Sequence, residues 1–185
     1  MIRFAAALCL LLCAFPAAAQ RLLPGGAEFA QGATLLRVTA LTPSILRVQL
    51  APQGKFPEDA SWAVPAIVRA QRAAVTPLAN GFATEALTVQ VDPATLRLTV
   101  TDKAGKTIAA DAANPFELQG ASFTLRKAMP VGEHYYALGD KTGPFDRRGA
   151  SYVNWTIDAW GYDGTTDPDR KSTRLNSSHT DISRM

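Results

Sequence analysis

Leu96 to Ala110 reads LRLTVTDKAGKTIAA. Leu96, Leu98 and Val100 alternate with Arg97, Thr99 and Thr101, the period of two that places one face of a strand in a core and the other in water. Asp102-Lys103-Ala104-Gly105 then supplies residues suited to a tight turn, and Lys106 to Ala110 returns. The unit predicted is strand, turn, strand.

The same grammar recurs on either side. Thr34 to Ala40 (TLLRVTA) and Ile45 to Leu50 (ILRVQL) predict a hairpin connected by the four residues Leu41-Thr42-Pro43-Ser44. Phe82 to Val91 (FATEALTVQV) alternates in part and is broken by Asp92-Pro93. Ser122 to Lys127, Tyr135 to Leu138 and Ser151 to Ile157 are further β-like runs, with Pro or Gly roughly every ten residues between such segments. Ala66 to Ala74 favours helix by composition, but Pro65 and Pro77 bound it closely. The fold class expected is all-β, an antiparallel β-sandwich.

Of the 185 residues, 47% are apolar and 19% charged, which suits one domain with a packed core and excludes disorder throughout. The formal charge of +3 belongs to the two ends. Without Arg3, and without the four basic and two acidic residues after Pro168, the 19 basic and 16 acidic residues fall to fourteen of each. A neutral body with no run of Lys or Arg lacks the electrostatic footprint of a nucleic-acid binder.

Met1 to Ala19 carries one positive charge, an apolar stretch from Phe4 to Phe15, and Ala17-Ala18-Ala19 as a small-residue cleavage pattern. Residues 1–19 are expected to be a cleavable signal peptide, which implies export to the periplasm or the extracellular space. The apolar run is shorter than the roughly 20 residues that span a bilayer, so no membrane span is expected. Both cysteines, Cys9 and Cys13, lie in the leader, which leaves the mature chain without a disulfide. Leu12 before Cys13 departs from the small residue that lipidation signals place there.

At the other end, Asp169 to His179 reads DRKSTRLNSSH. All eleven of these residues can be encoded by a DNA run that resembles a widely used sequencing-library adapter. Residues 169–185 are therefore expected to be an adapter-derived, disordered tail, with residues 20–168 as the native domain and the reading frame cut after Pro168. His179 and the Asn176-Ser177-Ser178 triplet are set aside with that tail.

The chemically dense stretch is Gly132 to Pro168. Ala137 to Gly149 (ALGDKTGPFDRRG) resembles the G-L-G-E-K-T-G-P-L-D-R-R-G run in the N-terminal domain of glycoside hydrolase family thirty-one, the α-glucosidase and α-xylosidase family. Asn154 to Ala159 (NWTIDA) and Gly164 to Pro168 (GTTDP) resemble the block that follows there, often N-W-N-T-D-A and then G-T-D-P-L-Y. Asp140 stands in place of Glu, Phe145 in place of Leu, and Thr156-Ile157 in place of Asn-Thr. The LRLTVTDKAGKTI unit is also similar to that family's recurring strand, turn and strand.

The resemblance implies an incomplete galactose-mutarotase-like supersandwich that in the parent enzyme packs against a (β/α)8 barrel. That barrel would supply two Asp residues, as nucleophile and acid/base, for retaining hydrolysis of α-glycosides. The reaction needs two carboxylates about 5 Å apart, and the stretch that would carry them is absent from this sequence. The fragment is thus expected to be inactive alone, with an α-linked glycoside and the barrel as its partners. A free-standing carbohydrate-binding sandwich is the alternative.

The resemblance also implies that Asp158 contacts a sugar hydroxyl at the pocket edge. Trp155, Trp160 and Tyr162 are candidate pocket-lining residues, since rings cover the apolar face of a pyranose. The competing reading packs both Trp residues in an interface and has Asp158 cap a turn. Asp146, Arg147 and Arg148 are read as a structural ion pair that anchors their loop, with a ligand clamp as the alternative. His134 has no second His or Cys beside it and is read as an ordinary histidine. No metal and no cofactor is implied.

Overall fold

The computed structural model describes residues 20–120, 122–136 and 143–151. Two antiparallel sheets account for nearly all of its regular secondary structure. The first is a four-stranded meander: β1 (Gln20–Leu23), β2 (Gly26–Gln31), β3 (Thr34–Thr42) and β4 (Ile45–Ala51) lie side by side in chain order. A single helical turn, α1 (Ala66–Arg69), precedes the second sheet. There β5 (Thr76–Leu78), β6 (Gly81–Ala83), β7 (Leu87–Asp92), β8 (Arg97–Asp102), β9 (Thr107–Gln119) and β10 (Ser122–Lys127) again pair in chain order.

The alternation read from the sequence faces inward as expected. Ala27 and Phe29 of β2 and Leu36, Val38 and Ala40 of β3 meet Leu87, Val89 and Val91 of β7 and Leu98 and Val100 of β8. Phe82, Val89 and Val100 stand opposite one another across three neighbouring strands, so one ring anchors a row of β-branched side chains. Polar side chains pin the two layers together at the margins. Gln20 donates to the Gly81 carbonyl (2.9 Å) and the Thr84 hydroxyl donates to the Pro43 carbonyl (2.6 Å). Two glycines are required by close approach. A Cβ on Gly26 would fall 2.1 Å from the Val38 carbonyl oxygen, and one on Gly81 would fall 1.9 Å from that of Val89.

Several boundaries differ from the sequence reading, each for a local reason. The β3–β4 connection shrinks from four residues to Pro43-Ser44, because Thr42 pairs with Ile45 and its hydroxyl accepts the Ile45 amide (3.1 Å). Phe82 to Val91 is two strands rather than one. Thr84 turns the chain by accepting the amides of Ala86 (3.1 Å) and Leu87 (2.8 Å), which folds β6 onto β7. Leu96 falls just outside β8, at φ +56° and almost fully buried. Burial of its side chain offsets the cost of a left-handed backbone at a residue with a Cβ.

The return strand after Gly105 is far longer than Lys106 to Ala110, since β9 continues through Asn114-Pro115. Proline is tolerated because β9 pairs with β8 only up to Ala110, and its pairing with β10 skips from Asp111 to Phe116. The helix expected over Ala66 to Ala74 is reduced to its first turn, with no side-chain N-cap and no buried residue to stabilise it. Tyr135 and Tyr136 are not in a strand. Ala137, Leu138 and the run from Tyr152 lie outside the described residues, as do residues 1–19 and 169–185. Among the described residues no helix is long and apolar enough to cross a membrane.

The outer face of the first sheet holds a buried charge that composition does not announce. Arg21, Glu28, Arg37 and Gln49 form one cross-strand row, and Glu28 is only 6% exposed. Its two oxygens accept from Arg21 (2.7 Å) and Arg37 (2.8 Å), and the Arg37 guanidinium lies 3.8 Å from the centroid of the Phe56 ring. Phe56 belongs to the 52–75 connection. Asp59 of the same connection is bound through both oxygens by Arg47 of β4 (2.8 and 3.0 Å).

Burial pushes the Glu28 carboxyl up, while the Arg21 and Arg37 hydrogen bonds more than offset this and hold it below its ordinary value. The stabilisation this gives is complete above the unfolded value of 4.5 and is lost as pH falls through the lower folded value. Glu28→Ala should cost about 1.5 to 3 kcal/mol in urea unfolding at pH 7, since both guanidinium groups retain access to water. A change below about 0.5 kcal/mol would mean that the row contributes nothing net.

Candidate functional site

Of the residues singled out in the sequence, Asp146, Arg147, Arg148 and His134 are described. Asp158, Trp155, Trp160 and Tyr162 lie outside the described residues. The described part is a clamp between two arms, residues 130–136 and 143–150. Asp146 lies at its centre. One carboxylate oxygen accepts the amides of Arg148 (3.0 Å) and Tyr135 (3.2 Å), and the other is 2.6 Å from His134 Nδ1.

Arg148 completes the clamp without touching the Asp146 carboxylate through its guanidinium. It donates instead to the carbonyls of Pro130 (2.9 Å) and Glu133 (2.5 Å). The Arg147 amide donates to the Tyr135 carbonyl (2.7 Å). Tyr136 and Phe145, one from each arm, bring their rings to 5.1 Å, and the Tyr135 hydroxyl donates to Glu133 (2.9 Å). The side chain that meets the Asp146 carboxylate among the described residues is thus that of His134, twelve positions away in sequence. Nothing in the spacing between positions 134 and 146 marks that pair.

Three hydrogen bonds accepted by one carboxylate favour its charged form. The His134 contact first, and then the two amides, hold the Asp146 carboxyl down at about 2. The tie is therefore intact above the ordinary value of 3.8 and is released only as pH falls through about 2. In an amide-resolved NMR titration, the Tyr135 and Arg148 protons should move together with a midpoint near pH 2. A midpoint near 4 would mean that the carboxylate is not held.

Among the described residues no group of three or more His, Cys, Asp or Glu could hold a metal ion. A groove on the second sheet is lined by polar Asn80, Gln90, Asp92, Arg97 and Thr99 together with Val91 and Pro93. It has no ring to cover a sugar face. Asp92 is already engaged there by the Ala94 amide (2.9 Å) and the Thr95 hydroxyl (2.8 Å). Asp146 and Asp92 are each engaged by groups of their own loops. Both serve as loop anchors.

Residues 35–172 match the family profile described as the glycosyl hydrolase 31 N-terminal galactose mutarotase-like domain. The chain belongs to this family. Two solved structures of a Flavobacterium johnsoniae GH31 dextranase, one complexed with isomaltotriose and one with glucose, share its fold with a TM-score of 0.70 at 22% identity. They cover 81% of this chain, which in turn covers 19% of theirs. The GH31 α-xylosidase of Xanthomonas citri superposes with a TM-score of 0.56 at 21% identity, over 70% of this chain and 16% of its own. The GH31 domain described here therefore spans less than a fifth of the length of these enzymes. No curated protein matches it in sequence.

Proposed function

We propose that this chain is the N-terminal domain of an exported α-glycosidase, inactive by itself, which contributes a substrate-pocket loop and packs against a catalytic barrel. The family match over residues 35–172 carries this reading. The similarity in fold to enzymes complexed with isomaltotriose and glucose supports an α-linked glucoside as the class of substrate. The leader of residues 1–19 supports export, and the compartment is the periplasm or the extracellular space.

In this reading Asp158 accepts a hydrogen bond from a sugar hydroxyl, while Trp155, Trp160 and Tyr162 line the pocket beside it. A carboxylate orients a hydroxyl and a ring covers an apolar sugar face, so this loop selects and positions substrate without touching the bond that breaks. Asp146, His134 and Arg148 act one step back, as the clamp that holds the arms of the preceding loop. The two carboxylates of retaining hydrolysis come from the barrel, which also sets the preference between α-glucoside and α-xyloside.

Purified chain incubated with aryl α-glucosides and aryl α-xylosides should show no turnover above buffer. Sequencing the source DNA beyond codon 168 should reveal a continuous frame encoding a barrel. Turnover that survives repurification would overturn the reading, as would a native stop codon at that point, which would favour a free-standing carbohydrate-binding module.

A further inference from the structure

The 52–75 connection between the two sheets has a defined shape without a core of its own. None of its residues is buried, and its Trp62 and Ile67 are 99% and 77% exposed. Polar bonds give it its shape instead. The Arg69 guanidinium donates to the carbonyls of Asp59 (3.1 Å), Ser61 (3.0 Å) and Val64, while the Ser61 hydroxyl accepts the amides of Ala63 (3.3 Å) and Val64 (3.2 Å). Arg69 is therefore an internal frame that makes one body of residues 59–69. Outward ties bind this body to the first sheet. Arg47 of β4 grips both oxygens of Asp59, and the Phe56 ring lies against the Arg37 guanidinium.

We propose that residues 55–70 are a hinged strap, latched to β4 through Asp59, which leaves the first sheet as a unit while both sheets stay paired. A segment that buries no apolar residue loses little hydrophobic free energy by leaving, so its opening is governed by its polar ties. The strongest of these is the bidentate, charge-assisted pair of Asp59 with Arg47. The ends of the strap are fixed. Gly54 donates to the Ala51 carbonyl (3.2 Å) and, at φ +72°, takes a left-handed backbone that costs glycine little, which suits it as one hinge. At the other end Arg72 rests against Gly25, and the Ala73 amide donates to the Ala40 carbonyl (2.8 Å). Opening lifts the Phe56 ring from Arg37, which itself binds Glu28, so the strap is coupled to that buried charge.

Limited trypsin digestion of the 185-residue chain, with cut sites located by mass spectrometry, tests this. Cleavage after Lys55 and Arg69 requires the strap to open, whereas cleavage after Arg97 requires β8 to leave its sheet. The first two cuts should precede the third and rise together in Asp59→Asn by about tenfold, the worth of a hydrogen bond to a charged group. The Arg97 cut should keep its rate. Substituting Asp59 rather than Arg47 leaves every other contact of that arginine in place. Cleavage after Arg97 as fast as after Lys55 in the unaltered chain overturns the proposal, because the connection would then open only with the sheets. So does a variant that leaves the Lys55 and Arg69 cuts unchanged, that accelerates one without the other, or that accelerates the Arg97 cut equally.

Discussion

Phe82→Ala should lower the unfolding free energy of the domain by about 3 to 5 kcal/mol. Phe82 is fully buried and is the largest side chain that is so among the described residues. Its partners in the row, Val89 and Val100, are β-branched and held on strands by backbone pairing, so they have little freedom to close the space a ring leaves. A domain of this size is stable by about 5 to 15 kcal/mol in total, so the variant would lose a large part of its margin. Urea unfolding followed by far-UV circular dichroism measures it. A loss below about 1 kcal/mol would mean that the two sheets are not packed across this row in solution.

The row was legible because its physics is local and periodic. Leu98 and Val100 alternate cleanly with polar neighbours, and the Asp102 to Gly105 turn carries its own signal in the Asp102 side chain and in Gly105 at φ +79°. Where the period is interrupted by a residue that acts through its side chain, the sequence misleads. Thr84 sits inside a run that reads as one strand, and only its hydroxyl, with two amides to accept, shows that the chain reverses there. Pro115 does not stop β9, since the pairing that would forbid it has already changed partner there.

Glu28 and Asp146 were illegible in another way. Each is stabilised by groups brought close by folding, Arg21 and Arg37 across strands and His134 across a loop, and no spacing in the chain encodes those encounters. The family was legible all the same, because the run from Ala137 to Gly149 is specific as a string even where its geometry is not derivable from period. The partners through which that run anchors its loop follow from coordinates alone. Asp146 binds amides and a histidine, and Arg148 binds carbonyls.

In the complete enzyme proposed above, Asp158→Ala should lower kcat/KM for an α-glucoside by about ten- to a hundredfold while the fold stays intact. A hydrogen bond to a charged group is worth roughly 1.5 to 3 kcal/mol, and in a pocket partly closed to water its loss falls on substrate and transition state alike. Restoring size without charge, as in Asp158→Asn, should recover part of the loss, because an amide oxygen still accepts. If Asp158 instead caps a turn, the same truncation costs roughly 1 kcal/mol of stability and leaves the specific activity of folded enzyme unchanged. Thermal midpoint and kcat/KM taken on one preparation separate the two. Unchanged kinetics with a lowered midpoint would remove Asp158 from the pocket, and with it the reason to place Trp155, Trp160 and Tyr162 beside a sugar.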